Sequence, residues 1–133
     1  MRGKLRIGLQ RNVEVTDVQA GPRRYVSQAF CSALPVAYTS VSPPREVFAR
    51  LILDAAYEAT MLAAVEQSSA SVSSVLLTRV GGSAFGNADD WINDAIWRAL
   101  MVVEQAGLDV RLVSYGDVER SMQSIAEDWG EKA

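Results

Sequence analysis

Apolar and polar residues alternate over Leu5–Leu9 and again over Val13–Thr16, the two-residue period of half-exposed strands. Gln10-Arg11-Asn12 between them suits a hairpin turn. From Tyr25 to Tyr38 the chain is more continuously apolar, which predicts a buried strand that Pro35, lacking an N–H for a ladder bond, ends or confines to an edge. Ser40-Val41-Ser42-Pro43-Pro44 reads as a connector with Pro44 near a helix start. Over residues 45–66, Phe48, Leu51, Ile52, Ala55, Ala59, Leu62 and Ala63 recur at three- and four-residue steps, predicting a long helix with that stripe in the core. Glu46 with Arg50, and Arg50 with Asp54, fall four apart on another face as weak surface pairs.

Gln67–Ser74 is a polar, serine-rich loop leading to a predicted strand at Val75–Val80. A second helix opens at Asp89, with Asn87 as its cap and Asp89 and Asp90 complementing its dipole. Trp91, Ile92, Ala95, Ile96, Ala99, Leu100 and Val103 face inward until Gly107 stops it. Trp97 and Met101 share a different face, which either covers a second layer of the same chain or meets another subunit. Val110–Tyr115 reads as a further strand, and Asp117 as the cap of a last helix striped by Val118, Met122, Ile125 and Trp129. Strands alternating with helices imply parallel pairing, hence an α/β fold with a layered mixed sheet flanked by helices, in one domain over residues 1–133.

At 49% hydrophobic and 22% charged, the chain can bury a proper core. Its apolar runs all fall short of the roughly 18–20 residues that cross a bilayer, and no signal-type stretch follows Met1-Arg2-Gly3-Lys4-Leu5-Arg6. A cytoplasmic location and no membrane partner are the expectation. Residues 1–24 hold six basic side chains, Arg2, Lys4, Arg6, Arg11, Arg23 and Arg24, against Glu14 and Asp17, within a net charge of −3. An acidic domain opposes a nucleic-acid duplex, so general nucleic-acid binding is not expected. The basic segment serves either as a solvated strand edge or as a surface for a smaller anion.

The 133 residues include no histidine. A Ser-His-Asp triad, a Cys-His pair and a His-ligated metal are therefore excluded within one chain, and neither a catalytic set nor a cofactor is expected. The lone Cys31, in Gln28-Ala29-Phe30-Cys31-Ser32-Ala33, reads as a buried-strand thiol with nothing to activate it.

Between the Val75–Val80 run and the Asp89 helix stand Gly81, Gly82, Ser83, Ala84, Phe85, Gly86 and Asn87. A glycine-rich turn from strand to helix presents free amides and the positive end of a helix dipole, a setting that favours anions. No Lys-Ser or Lys-Thr follows Gly86, so this is not a Walker loop, and Ser83 is not in a nucleophile-elbow pattern. In open α/β sheets ligands settle beyond the carboxyl ends of strands, where these residues would lie. A tight, close-packed connection is the plain alternative.

The run Ala55–Ala64, the strand after it, Gly-Gly-Ser-Ala-Phe-Gly-Asn, the next helix and Leu108–Ser114 resemble the C-terminal half of a macrodomain, in the branch that includes poly(ADP-ribose) glycohydrolases. The resemblance covers residues 45–115 best and implies a macrodomain-like three-layer architecture in shortened form. It also implies that Gly81–Gly86 form a phosphate loop for ADP-ribose, with Phe85 near the ribose and Asn87 opening the helix. Ser83 stands where the family usually carries glycine, and the asparagine-rich ligand loop and double-glutamate catalytic signature are not found in this sequence. Glu14 and Asp17 are the nearest polar candidates beside such a site, or ordinary strand-end residues. Two readings follow. One is a module that binds ADP-ribose or a related nucleotide or phosphate ligand through residues 81–87. The other is a non-catalytic interaction protein that has lost the ligand and self-associates, as a homodimer for instance, through surface such as Trp97 and Met101.

Overall fold

The computed structural model describes residues 2–17 and 20–132. After a 3-10 turn at Arg2–Lys4 come β1 (Gly8–Glu14), β2 (Tyr25–Phe30), α1 (Pro43–Gln67), β3 (Ser74–Leu77), a 3-10 turn at Ser83–Phe85, α2 (Asp89–Val102), β4 (Asp109–Leu112) and α3 (Arg120–Lys132). The class is α/β, as the alternation predicts. In place of one mixed sheet, the strands form two small ones, an antiparallel β1–β2 ribbon and a parallel β3–β4 pair.

The predicted hairpin through Gln10-Arg11-Asn12 is instead a bulge inside one strand. The β1–β2 register runs from Gly8 opposite Phe30 to Glu14 opposite Tyr25 and shifts between Gln10 and Val13, with Asn12 at φ 54°. Asparagine tolerates that left-handed conformation, so the same residue that signals a turn supplies a bulge. The partner strand is β2, whose register the Val15 amide extends by donating to the Arg24 carbonyl at 2.9 Å. β2 is shorter than the apolar run predicts: it stops at Phe30 and all six of its residues are exposed. Cys31 lies just past it, half-buried, and Pro35 sits in irregular chain. The basic side chains here meet carboxylates on the surface, Arg11 with Glu66 at 3.1 Å and Arg23 with Glu14 at 3.5 Å.

α1 begins at Pro43 with Pro44 behind it, as the connector predicts, since a missing N–H matters little in a first turn. Its buried face is Ala49, Leu53, Ala55, Ala56, Tyr57 and Met61, whereas Phe48 is 47% exposed and Leu62 is exposed too. The expected stripe is thus out of phase. Apart from the charged stripe Glu46, Arg50, Asp54 and Glu58, most of the helix circumference is apolar, so periodicity alone does not choose its face; packing on α2 does. There Leu53, Tyr57 and Met61 join Ile92, Ala95, Ile96, Ala99 and Leu100 with Leu77 and Ile125 in the core cluster. Each fully buried Leu, Ile or Met contributes about 1.5–3 kcal/mol. The inward face of α2 matches the sequence reading. Within α1 Glu46 meets Arg50 at 3.5 Å, and between the two helices Arg50 reaches Asp94 at 2.7 Å and Arg98 lies 3.5 Å from Asp54.

β3, α2 and β4 form the predicted parallel unit, with Ser74 opposite Asp109 and Leu77 opposite Leu112. Both strands are shorter than the apolar runs that announce them. α3 starts at Arg120, so Asp117 lies outside it and Val118 is exposed; Met122 and Ile125 are the buried residues. Trp129 meets Trp97 edge to face, centroids 5.3 Å apart at 83°. Trp97 therefore covers a second layer of its own chain. Met101 stays partly exposed, with the Lys132 ammonium against its sulfur. No helix among the described residues is long and apolar enough to cross a membrane.

Candidate functional site

The carboxyl end of β3 gathers the residues that the sequence singles out. Tyr57, 2% exposed on α1, donates its hydroxyl hydrogen to the Thr78 carbonyl and accepts the Val80 amide, both at 2.8 Å. Burial pushes this phenol up to about 12, against the opposing pull of the Val80 bond. The side chain of Arg79, only 12% exposed, reaches Asp89 at 2.6 Å on the first turn of α2 and also Glu119 just before α3. Three elements are thereby tied to the end of one strand. Sequence reading passes over Arg79, although a lone arginine at the end of an apolar run is the available signal for it.

The glycine turn that follows is packed against residues 33–37. Gly81 has φ +85°, and a Cβ there would fall 2.3 Å from the Ala33 Cβ; Gly86 has φ +69° and would meet the Ala37 Cβ at 2.7 Å. The Phe85 carbonyl accepts the amides of Val36 and Ala37 at 2.8 and 3.0 Å. These two glycines are required by conformation and close approach together. Gly82 lies in ordinary extended backbone, against Ile92.

Asn87 does not cap α2. Ala88 holds that position without a side-chain bond, while Asn87 is 5% exposed and donates from Nδ2 to the carbonyls of Leu34 at 2.9 Å and Gly81 at 3.0 Å. Its own amide reaches Gly81 as well, at 3.0 Å. It staples the two ends of the turn to each other and to the segment before α1. Only the donor half of the side chain is used in this way, since its Oδ1 is buried and meets no donor among the described residues.

Four amides of the turn are donated within or beside it: Gly82 to Arg79, Phe85 to Gly82, Gly86 to Ser83 and Asn87 to Gly81. The adjacent amides of Ser83 and Ala84 meet no acceptor among the described residues, and both residues are exposed. Ser83 sits at φ +53°, the left-handed conformation that serine adopts at a penalty. Two successive free amides beside a left-handed residue are the elements from which backbone nests for anions are built. Phe85 is partly buried against the core and Asp90 is exposed beside the turn.

None of Gly81, Gly82, Ser83, Ala84, Phe85, Gly86 and Asn87 titrates, and the hydroxyl of Tyr57 is already engaged on both sides. The arrangement can hold a charge more readily than move a proton. Glu14 ends β1 and pairs with Arg23 at the exposed ribbon, and Asp17 is exposed. Cys31 is half-buried, with burial pushing its thiol up and a bond to Thr60 opposing. Among the described residues no cluster of three or more Cys, Asp or Glu could hold a metal ion. Compared with family models, curated proteins and solved structures, the chain finds no match in any of the three.

Proposed function

We propose that this chain binds a phosphate-bearing nucleotide, ADP-ribose or a close relative, in the manner of a macrodomain, at Gly81–Asn87, and does not turn it over. The observation that carries the reading is the pair of free, exposed amides at Ser83 and Ala84, beyond the carboxyl end of a strand in a parallel pair. Asp89 and Asp90 in the first turn of α2 oppose an anion, and Arg79 offsets the first of them. A diphosphate would therefore approach from the Ser83 side.

Calorimetric titration with ADP-ribose tests this. Binding with Kd between about 1 μM and 1 mM, weakened at least tenfold by Ser83→Asp, is expected. No heat at millimolar ligand would overturn the reading. Asp is tolerated in the left-handed region and the site is exposed, so this variant keeps the fold. Of the surface expected by the interaction-protein reading, Trp97 is engaged by Trp129 and Met101 stays exposed.

A further inference from the structure

β2 and β3 border opposite sides of one cleft, and neither is paired across it. The cleft has a volume of about 830 Å3; Tyr25–Cys31 form one wall, Val72–Thr78 the other, and α1 contributes Tyr57, Thr60, Ala63, Ala64 and Gln67, the last accepting the Ser27 hydroxyl of β2 at 2.5 Å. From β1 only Leu9 and Asn12 reach it, so β2 is the inner strand of its ribbon.

The main-chain bonds show which groups of β3 face the cleft. The Asp109 amide donates to the Ser73 carbonyl and the Val113 amide to the Leu77 carbonyl, so the odd positions face β4. Ser74 and Leu76, at alternate positions, aim their N–H and C=O groups the other way. Further along that edge, Thr78 and Val80 are satisfied by the Tyr57 hydroxyl, which does there what a neighbouring peptide group would do. Ser74 and Leu76 have no such partner among the described residues, and Leu76 is 67% exposed.

Exposed strand edges are ordinarily guarded by charges, prolines or bulges. The outer strand β1 has such guards: the Asn12 bulge, Arg11 and Glu14. The inner edges have none, and among the described residues no Asp, Glu, Lys or Arg lines the cleft, although 22% of the chain is charged. An uncharged groove between two open edges calls for main chain, and a charged occupant would leave its charge unpaired.

We infer that this cleft is a slot for one β-strand of a different polypeptide, extended and uncharged, which would join β2 to β3 and merge the two sheets into one. The small side chains of Thr60, Ala63 and Ala64 leave room for large apolar residues on the α1 face of that strand. A second copy of this chain fits less well, because each of its strands already has a hydrogen-bonded neighbour on one edge, whereas an occupant that joins β2 to β3 needs both edges free. The slot runs along β3, whereas the nucleotide reading concerns the turn beyond its end, so either can fail without the other.

The probe is a library of random heptapeptides displayed on phage, selected against the 133-residue chain, with the enriched peptides then synthesised. Uncharged sequences with alternating apolar residues are expected. Their affinity should fall at least tenfold with Leu76→Pro, which removes an N–H aimed into the slot and none that bonds β4. Methylating alternate amides of the peptide should abolish binding to the unaltered chain, a measurement independent of how Leu76→Pro folds. No enrichment, charged consensus peptides, or binding indifferent to peptide methylation would overturn the proposal. So would sedimentation showing dimers that Leu76→Pro dissociates, since the occupant would then be a second copy.

Discussion

Tyr57 on α1 donates its hydroxyl hydrogen to the carbonyl of Thr78, 2.8 Å away, and thereby closes the end of a strand that contributes no side chain to the bond. The same oxygen accepts the Val80 amide. Tyr57→Phe keeps the ring and removes one partner from each of two backbone groups, which retain their direct bond from the Val80 amide to the Thr78 carbonyl at 3.1 Å, so a loss of about 1–2 kcal/mol is expected. Urea unfolding of the two proteins measures it. A change within the ~0.5 kcal/mol typical of surface substitutions would mean that water replaces the hydroxyl.

The same hydroxyl makes stability depend on alkaline pH. Burial raises its pKa from 10.0 to about 12, and the form favoured by folding is the neutral phenol. The stabilisation is therefore fully present below pH 10 and lost as pH climbs from 10 to 12. A rise of that size corresponds to roughly 2–3 kcal/mol. Unfolding followed at pH 9 and pH 12 should show the unaltered protein losing more than Tyr57→Phe does. Parallel pH curves for the two would contradict the assignment.

Gly81 and Gly107 separate conformational strain from crowding. Both have positive φ, +85° and +67°, yet a Cβ at Gly107 meets nothing within 4 Å, whereas at Gly81 it falls 2.3 Å from the Ala33 Cβ. Gly107→Ala should cost about 1–2 kcal/mol, the left-handed penalty alone. Gly81→Ala adds an overlap worth roughly 1–3 kcal/mol more and displaces the segment before α1. Thermal melting of the pair gives the difference directly; equal losses would show that residues 33–37 yield freely.

Where one amphipathic face had to be buried, the sequence was legible. The inward residues of α2 from Ile92 to Leu100, and Val103 at its cap, follow from their spacing, as does the parallel β3–α2–β4 unit. α1 was not, because Phe48 and Leu62 satisfy the period as well as Leu53 and Met61 do, and only the packing partner decides between them. Asn12 carries a turn signal that bulges and hairpins share. At the candidate site, the position of the turn was readable from glycine spacing. The role of Asn87 was not, since its partner Leu34 lies 53 residues away in irregular chain with no pattern of its own. Arg79 was missed for a similar reason: its carboxylates, Asp89 and Glu119, come together only once both helices are placed.

Arg79 links stability to the charge beside the turn. Its side chain is largely buried while the carboxylates it holds are mostly exposed. Arg79→Met would thus return two carboxylates to water and forfeit charge-assisted bonds, a loss of about 1.5–3 kcal/mol. Because the guanidinium is sheltered, most of that difference should survive 1 M NaCl, where exposed pairs are screened beyond about 3 Å. Arg11→Met, at the exposed Glu66 pair, serves as the contrast, with an effect below about 1 kcal/mol that fades in salt. Freed of Arg79, Asp89 also leaves a full negative charge unpaired in the first turn of α2, the helix that the turn leads into. Affinity for ADP-ribose should then drop several-fold in Arg79→Met even at temperatures where the variant is fully folded, and Arg79→Lys, with one point charge in place of a planar fork, should recover only part of it. Calorimetry on the two folded variants distinguishes this electrostatic role from a purely structural one, in which stability would fall and affinity would not.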